Sequence, residues 1–204
     1  VALNNSTDAD ALNLYARLAM DAGQRADCAK TFQSIVSMHD VHGVDSKKRV
    51  PALIMSGIVH SQQGAWATAL ADLMHAIALG PEESTAALSG GIAALQYSMK
   101  HIDVPEARHH WVLKAVAMLQ HAGRLRVKQE GTRGMHEGDY NLARGLQQLG
   151  LNHLAVPLYE RCLEKGADEL QQECAQNLSL IYEQSGATAL RDQVLRKYVN
   201  HDEA

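Results

Sequence analysis

Gly64-Ala65-Trp66-Ala67-Thr68-Ala69-Leu70-Ala71-Asp72-Leu73-Met74-His75-Ala76 carries the spacing that decides the fold. A glycine is followed after five residues by a small residue, Ala69, after four more by a large apolar one, Leu73, and after three more by a compact one, Ala76. Gly150, Ala155, Tyr159 and Cys162 repeat the spacing, as do Gly23, Cys28, Phe32 and Ile35. Gly186, Arg191, Leu195 and Tyr198 form a weaker copy with a long cation in the small slot. Steps of four and three place side chains on one face of a helix. A fixed recurrence of such units is the mark of helix–turn–helix repeats, which stack because none can bury its apolar face alone.

Each copy reads as a pair of helices. Leu142, Ala143 and Leu146 share a face ahead of Gly150, and Leu154, Ala155, Leu158, Tyr159 and Cys162 share one after it. Glycine at the junction accepts the left-handed backbone that ends the first helix. Small residues fall where two axes cross closely, so Ala143 is expected against Ala155. Upstream the slots are Leu12, Tyr15, Ala16, Ala19, Cys28, Phe32 and Ile35, then Leu53, Gly57 and His60 ahead of Gly64, with Pro81 closing that unit. The last unit holds Leu178, Ser179, Tyr182, Leu195 and Tyr198, and Arg191 is expected either to splay the terminal helix slightly or to turn its guanidinium outward. Between them, Ser84–Lys100 and Glu106–Val127 read as a degraded pair, with Trp111, Ala115, Met118, Leu119 and Ala122 inward. The three glycines and mixed charge of Lys128–Gly138 read as a loop, and Val41–Arg49 as another. The pairs therefore approximate residues 9–40, 50–82, 84–127, 136–166 and 172–200.

Composition agrees. Of 204 residues 46% are hydrophobic but only 4% aromatic, so Leu, Ala, Val, Met and Ile must fill the core, which suits close helix packing. Four prolines and little Val/Ile/Thr alternation leave no pattern for strands. The net charge of −4 argues against a module that grips nucleic acid by its own electrostatics. Three cysteines, Cys28, Cys162 and Cys174, form no paired motif and read as buried free thiols in a reducing compartment. No apolar run is long enough for a membrane span, and no signal-peptide pattern opens the chain. A start at Val1 fits excision from a longer protein.

No catalytic or cofactor motif stands out, and neither enzyme nor cofactor nor metal is expected. His39 with His42, and His101 with His109 and His110, lack the further ligands a metal needs. Glu137 and Asp139 read as acids favouring a helix N-terminus. Lys47, Lys48 and Arg49 read as a solvated basic run, and Arg124, Arg126, Lys128 and Arg133 as a looser basic cluster at a helix end. The informative surface is the side of each first helix opposite its packing face. It is expected to line a concave groove through Asn13, Arg17 and Asp21, Ile54, Ile58 and Gln62, Tyr140, Arg144, Gln147 and Gln148, and Gln176, Leu180 and Glu183. Mixed charge with apolar residues suits an extended peptide or a partner helix better than a polyanion.

The repeat slots are those of the tetratricopeptide repeat (TPR), which implies an all-α, TPR-type α-solenoid of about five helix pairs. The stretch from Tyr140 through His153-Leu154-Ala155-Val156-Pro157 to Glu160, with Asn177–Gly186, is similar to the closing segments of the tetratricopeptide subunits of transcription factor IIIC. Pro157 is the most specific part, because a proline inside a helix departs from the generic repeat. The resemblance implies a nuclear scaffold in RNA polymerase III initiation, without catalysis. Its partners would be other transcription factor IIIC subunits, with transcription factor IIIB as a further one; DNA would be reached only through the complex, and no membrane is involved. A cochaperone-type adaptor clamping a peptide C-terminus is the alternative, although Arg17, Arg144 and Asn13 come without the lysine cluster such a clamp uses.

Overall fold

The computed structural model describes residues 46–100, 103–165 and 170–199, with side chains from 49 onward except 165, and isolated upstream positions that include 14, 18, 31, 32, 34, 35 and 37. Eight helices are bounded among the described residues: α1 (Ser46–Gln62), α2 (Trp66–Leu79), α3 (Ser84–Lys100), α4 (Pro105–Glu130), α5 (Thr132–Gln148), α6 (Asn152–Lys165), α7 (Gln171–Gln184) and α8 (Thr188–Tyr198). The described upstream positions are also helical, and no strand occurs among the described residues. The architecture is an all-α, TPR-like helix-pair solenoid of about four to five repeats. Two compact units divide it, residues 1–118 and 119–204.

The repeat glycines show why the spacing recurs. Gly64, Gly150 and Gly186 have φ of 74°, 76° and 77°, the left-handed region where a Cβ would clash. At each, two amides fold back onto the preceding helix. Gly64 N–H donates to Ser61 O at 3.0 Å and Ala65 N–H to His60 O at 2.9 Å. Gly150 and Leu151 do the same to Gln147 and Leu146, both at 2.9 Å, and Gly186 and Ala187 to Glu183 and Tyr182 at 3.0 and 2.8 Å. This is one C-cap built three times, and it sets the same reversal between the helices of three pairs.

In the first unit α1 packs on α2, and α3 packs on both. Val50, Leu53, Ile54, Ala76 and Ala86 form a core cluster, with Ile58, Ile77 and Leu79 against it. Ala69, Leu73 and Ala76 are fully buried, as are Phe32 and Ile35 upstream. Helix α3 buries Ala86, Ala87, Gly90, Gly91, Ala93, Ala94 and Ser98, so small side chains let it sit close among its neighbours. In the second unit α6 packs between α5 and α7, and α8 closes on α7. Ala143, Ala155 and Tyr159 are fully buried there, with Cys162, Cys174 and Leu178 nearly so. Leu154, expected inward, is exposed, because it lies about 100° around α6 from the buried Ala155.

The expected loop at Lys128–Gly138 is a correction. Helix α4 runs on to Glu130, Gly131 (φ 59°) makes the reversal alone, and α5 begins at Thr132. The other two glycines are not breakers but a close helix contact. A Cβ on Gly134 would lie 2.1 Å from Arg126 O, and one on Gly138 would lie 2.8 Å from Gly123 Cα. The basic run Lys47–Arg49, also expected in a loop, belongs to the first turn of α1, and Arg49 is buried.

Candidate functional site

The groove residues expected from the sequence divide by position. Asn13, Arg17 and Asp21 lie outside the described residues. In the first unit Ile54 is buried in the core cluster and Ile58 packs against it, so neither side chain is free to line a groove; only Gln62 is exposed. The reason is that α3 covers this side of α1, so α1 buries more of its circumference than a helix with one packing face.

The second unit keeps its polar face. On α5 Tyr140 is half-buried, and Arg144, one turn on, is exposed with its guanidinium 5.6 Å from the Tyr140 ring centroid. Tyr140 is fixed from below by Tyr159 of α6, edge to face at 6.3 Å. The buried Tyr159 donates its hydroxyl to Gln147 Oε1 at 2.8 Å, which spends Gln147 on the α5–α6 contact. Burial pushes the Tyr159 phenol well above its ordinary value, with Tyr140 adding to the effect. Gln148 is exposed. On α7, Gln176, Leu180 and Glu183 are exposed at helical spacing, and Leu180 shows 49% of its surface. Glu183 faces Arg191 at 3.4 Å, and Arg191 also holds Asp192 at 2.8 Å. The slot-breaking cation of the last pair thus turns outward to carboxylates, as expected of it.

The acid and base clusters resolve into ion pairs. Glu137 and Asp139 lie inside α5 rather than ahead of a helix. Arg126 Nε donates to Glu137 at 2.9 Å, and its guanidinium also meets Glu130 at 2.8 Å, so Arg126 ties α4 to α5. Those carboxylates raise the Arg126 pKa. Arg161 of α6 grips Asp139 through two nitrogens, at 3.0 and 2.7 Å. Of the basic cluster, Arg124 and Lys128 are exposed on α4 and Arg133 on α5. An open groove of about 250 Å³ lies beside the Gly123–Gly138 contact, walled by Leu119, Val127, Met135 and Leu142.

Two polar groups escape the sequence reading. Asp72 on α2 accepts from Ser56 at 2.7 Å and bonds His60 Nδ1 at 2.9 Å, so His60, a slot residue of its repeat, anchors α1 to α2. Both donors reach the same carboxylate oxygen, a bracing arrangement rather than a nucleophile–base relay. Tyr182 of α7 donates to Glu160 of α6 at 2.9 Å. The spacing of Ser56 and His60, one turn apart on α1, was the available signal for the first; nothing local marks the partners on the second helix. His109 and His110 are exposed, His39, His42 and His101 lie outside the described residues, and no group of three metal-ligating side chains occurs among the described residues. No described helix is long and apolar enough to cross a membrane.

No family model matches the chain. Among curated proteins it is 43% identical over 72 residues to human "General transcription factor 3C polypeptide 3", covering 30% of this chain and 8% of that protein. It is 29% identical over 166 residues to Schizosaccharomyces pombe "Transcription factor tau subunit sfc4", covering 72% of this chain and 16% of that protein. A third match, 28% over 121 residues, is to the Saccharomyces cerevisiae "Transcription factor tau 131 kDa subunit", of which it covers 12%. The chain therefore spans under a fifth of each of these relatives. Among solved structures it superposes on Podospora anserina kinesin light chain TPR-like repeats with a TM-score of 0.70 at 17% identity, covering 92% of both chains. A TPR protein of Thermus thermophilus gives 0.64 at 14% identity, covering 96% of this chain and 93% of that one. The chain has a TPR-type fold, related distantly to subunits of transcription factor IIIC and, in architecture, to TPR proteins at large.

Proposed function

We propose that this protein–protein interaction module works as an adaptor, taking an extended segment of a partner protein on the exposed sides of α5 and α7. The observation that carries the reading is the Tyr140–Arg144 stack, braced from below by Tyr159 and followed on the next pair by Gln176 and Leu180. A stacked guanidinium supplies both a charge for a peptide carboxylate and an apolar plane, and Leu180 supplies an apolar contact. A peptide with an acidic or C-terminal carboxylate beside an aliphatic side chain fits that set. The test is fluorescence anisotropy with a labelled library of such peptides. Arg144→Ala and Leu180→Ser should each weaken the best binder about tenfold, roughly 1.4 kcal/mol, with the fold unchanged by circular dichroism. Equal affinity in both variants refutes this face as the site.

A second reading is favoured by the names of the curated relatives: assembly of a transcription factor IIIC-like complex in the nucleus, with sister subunits, and through them factor IIIB, as partners. Affinity purification of the full-length protein from nuclear extract tests it. Co-purification of polymerase III initiation subunits supports it, and their absence refutes it.

A further inference from the structure

Helices α4 and α5 fold back on each other at Gly131, and they come close where Gly123 faces Gly138. Neither glycine carries a side chain, so the seam beside them stays open as the groove of about 250 Å³. Leu119, 3% exposed, and Val127, 44% exposed, wall it on α4, and the half-buried Met135 and Leu142 wall it on α5. Leu119, Gly123 and Val127 follow at steps of four, and Met135, Gly138 and Leu142 at steps of three and four, so each helix lends the groove one continuous strip. Every residue that lines it belongs to the second compact unit. The space is smaller than the about 300–1,000 Å³ of a small-molecule site and is open to solvent. Such a groove takes a bulky side chain delivered by another helix, as a knob enters a hole.

The rim decides what that helix must carry. Asp139, the carboxylate on the lining, is gripped by Arg161 at 3.0 and 2.7 Å, and Glu130 and Glu137 meet Arg126. Arg124 lies exposed on the lining, followed one turn on by the exposed Lys128. In a chain of net charge −4 this is a local reversal of sign, which draws an acidic partner to the groove and away from the rest of the surface. We propose that the α4–α5 groove docks an acidic amphipathic helix of a partner protein, with a leucine or aromatic side chain seated over Gly123 and Gly138 and a carboxylate one turn away on Arg124. A nucleic-acid backbone satisfies Arg124 but leaves the apolar walls uncovered, so the helix is the better fit. The groove is distinct from the Tyr140–Arg144 face. Tyr140 follows Gly138 by two residues, about 200° round α5, so the two surfaces point apart and one chain can engage a partner on each. The inference does not depend on the adaptor reading of the other face.

The test uses the full chain and fluorescein-labelled helical peptides in which glutamates flank a central leucine, phenylalanine or tryptophan. Control peptides replace the central residue by alanine or the glutamates by lysine, and a labelled DNA duplex is the remaining probe. Fluorescence anisotropy should show binding of the acidic apolar peptides, weakened about tenfold by either control change. Val127→Ser and Arg124→Glu, both at exposed positions and checked by circular dichroism, should each weaken that binding about tenfold, and Arg124→Glu should recover the lysine peptide. Arg144→Ala should leave it unchanged, which separates this groove from the Tyr140 face. A benzophenone at the central peptide position should cross-link to Val127 or Met135, mapped by mass spectrometry. No binding by any peptide, binding indifferent to Val127 and Arg124, cross-links only elsewhere, or a duplex that binds more tightly than every peptide would overturn the proposal.

Discussion

Gly134→Ala sets local propensity against tertiary packing. Inside a helix, alanine is favoured over glycine by at most about 1 kcal/mol, so helix preference alone predicts a stabilised protein. The structure predicts the reverse. The added Cβ would stand 2.1 Å from Arg126 O, 2.3 Å from its carbonyl carbon and 2.9 Å from Val127 N, all backbone atoms of α4. A carbon–oxygen contact relaxes only near about 3.3 Å, so α4 and α5 must part by roughly 1 Å at their tightest point. The single-residue reversal at Gly131 leaves no slack to absorb that shift. Overpacking costs about 1–3 kcal/mol, and more when backbone rather than a side-chain tip has to move. The net expectation is a loss of about 2 kcal/mol, read as a melting midpoint lower by about 4–8 °C and a lower urea midpoint at unchanged slope. Gly123→Ala is the control: its Cβ would meet Gly138 Cα at 3.3 Å, so mild crowding and improved propensity nearly cancel, within about 0.5 kcal/mol. A Gly134→Ala protein as stable as its parent, or more so, refutes the close crossing.

Three further outcomes follow from the polar contacts. Asp72→Ala strands Ser56 and His60 between α1 and α2 and should cost about 2 kcal/mol in urea unfolding, whereas Asp72→Asn keeps an acceptor and should cost less. Tyr159→Phe removes the hydroxyl that holds Gln147 and should cost about 1 kcal/mol without loss of helix by circular dichroism. The Tyr182 phenol is pushed up to about 12, first by burial and then by its bond to Glu160, and that of Tyr159 is higher still. A raised folded value means that the Tyr182 contribution is complete below about pH 10, the unfolded value, and is lost as pH climbs through about 12. Phenolate absorbance should therefore show a lagging fraction on alkaline titration, and Tyr182→Phe should remove part of it while flattening stability against pH in that window.

The repeat was legible because its constraints are local. A turn that needs φ near 75° accepts glycine far better than other residues, and a close crossing five residues later accepts only a small one, so Gly64/Ala69 and Gly150/Ala155 announce both facts in the sequence. Pairing across helices has no such signature. Glycines 131, 134 and 138 looked like punctuation, yet only Gly131 ends a helix; the others make room for a neighbouring backbone, which composition cannot distinguish from a loop. Ile54 belonged to the expected groove by its angle on α1, and α3, arriving on that side, made it core. Glu137, Asp139 and Arg126 read as separate charge clusters until folding brought them into ion pairs.

By itself, then, the sequence determined helix pairs, their reversals and the small-residue crossings, because each depends on residues within a turn or two of one another. Only the tertiary structure decided which faces stay open, that Arg144 stacks on a braced Tyr140, and that Cys162 reaches His136. Those outcomes depend on the approach of a helix distant in sequence, and side-chain spacing along one helix carries no information about what arrives against it.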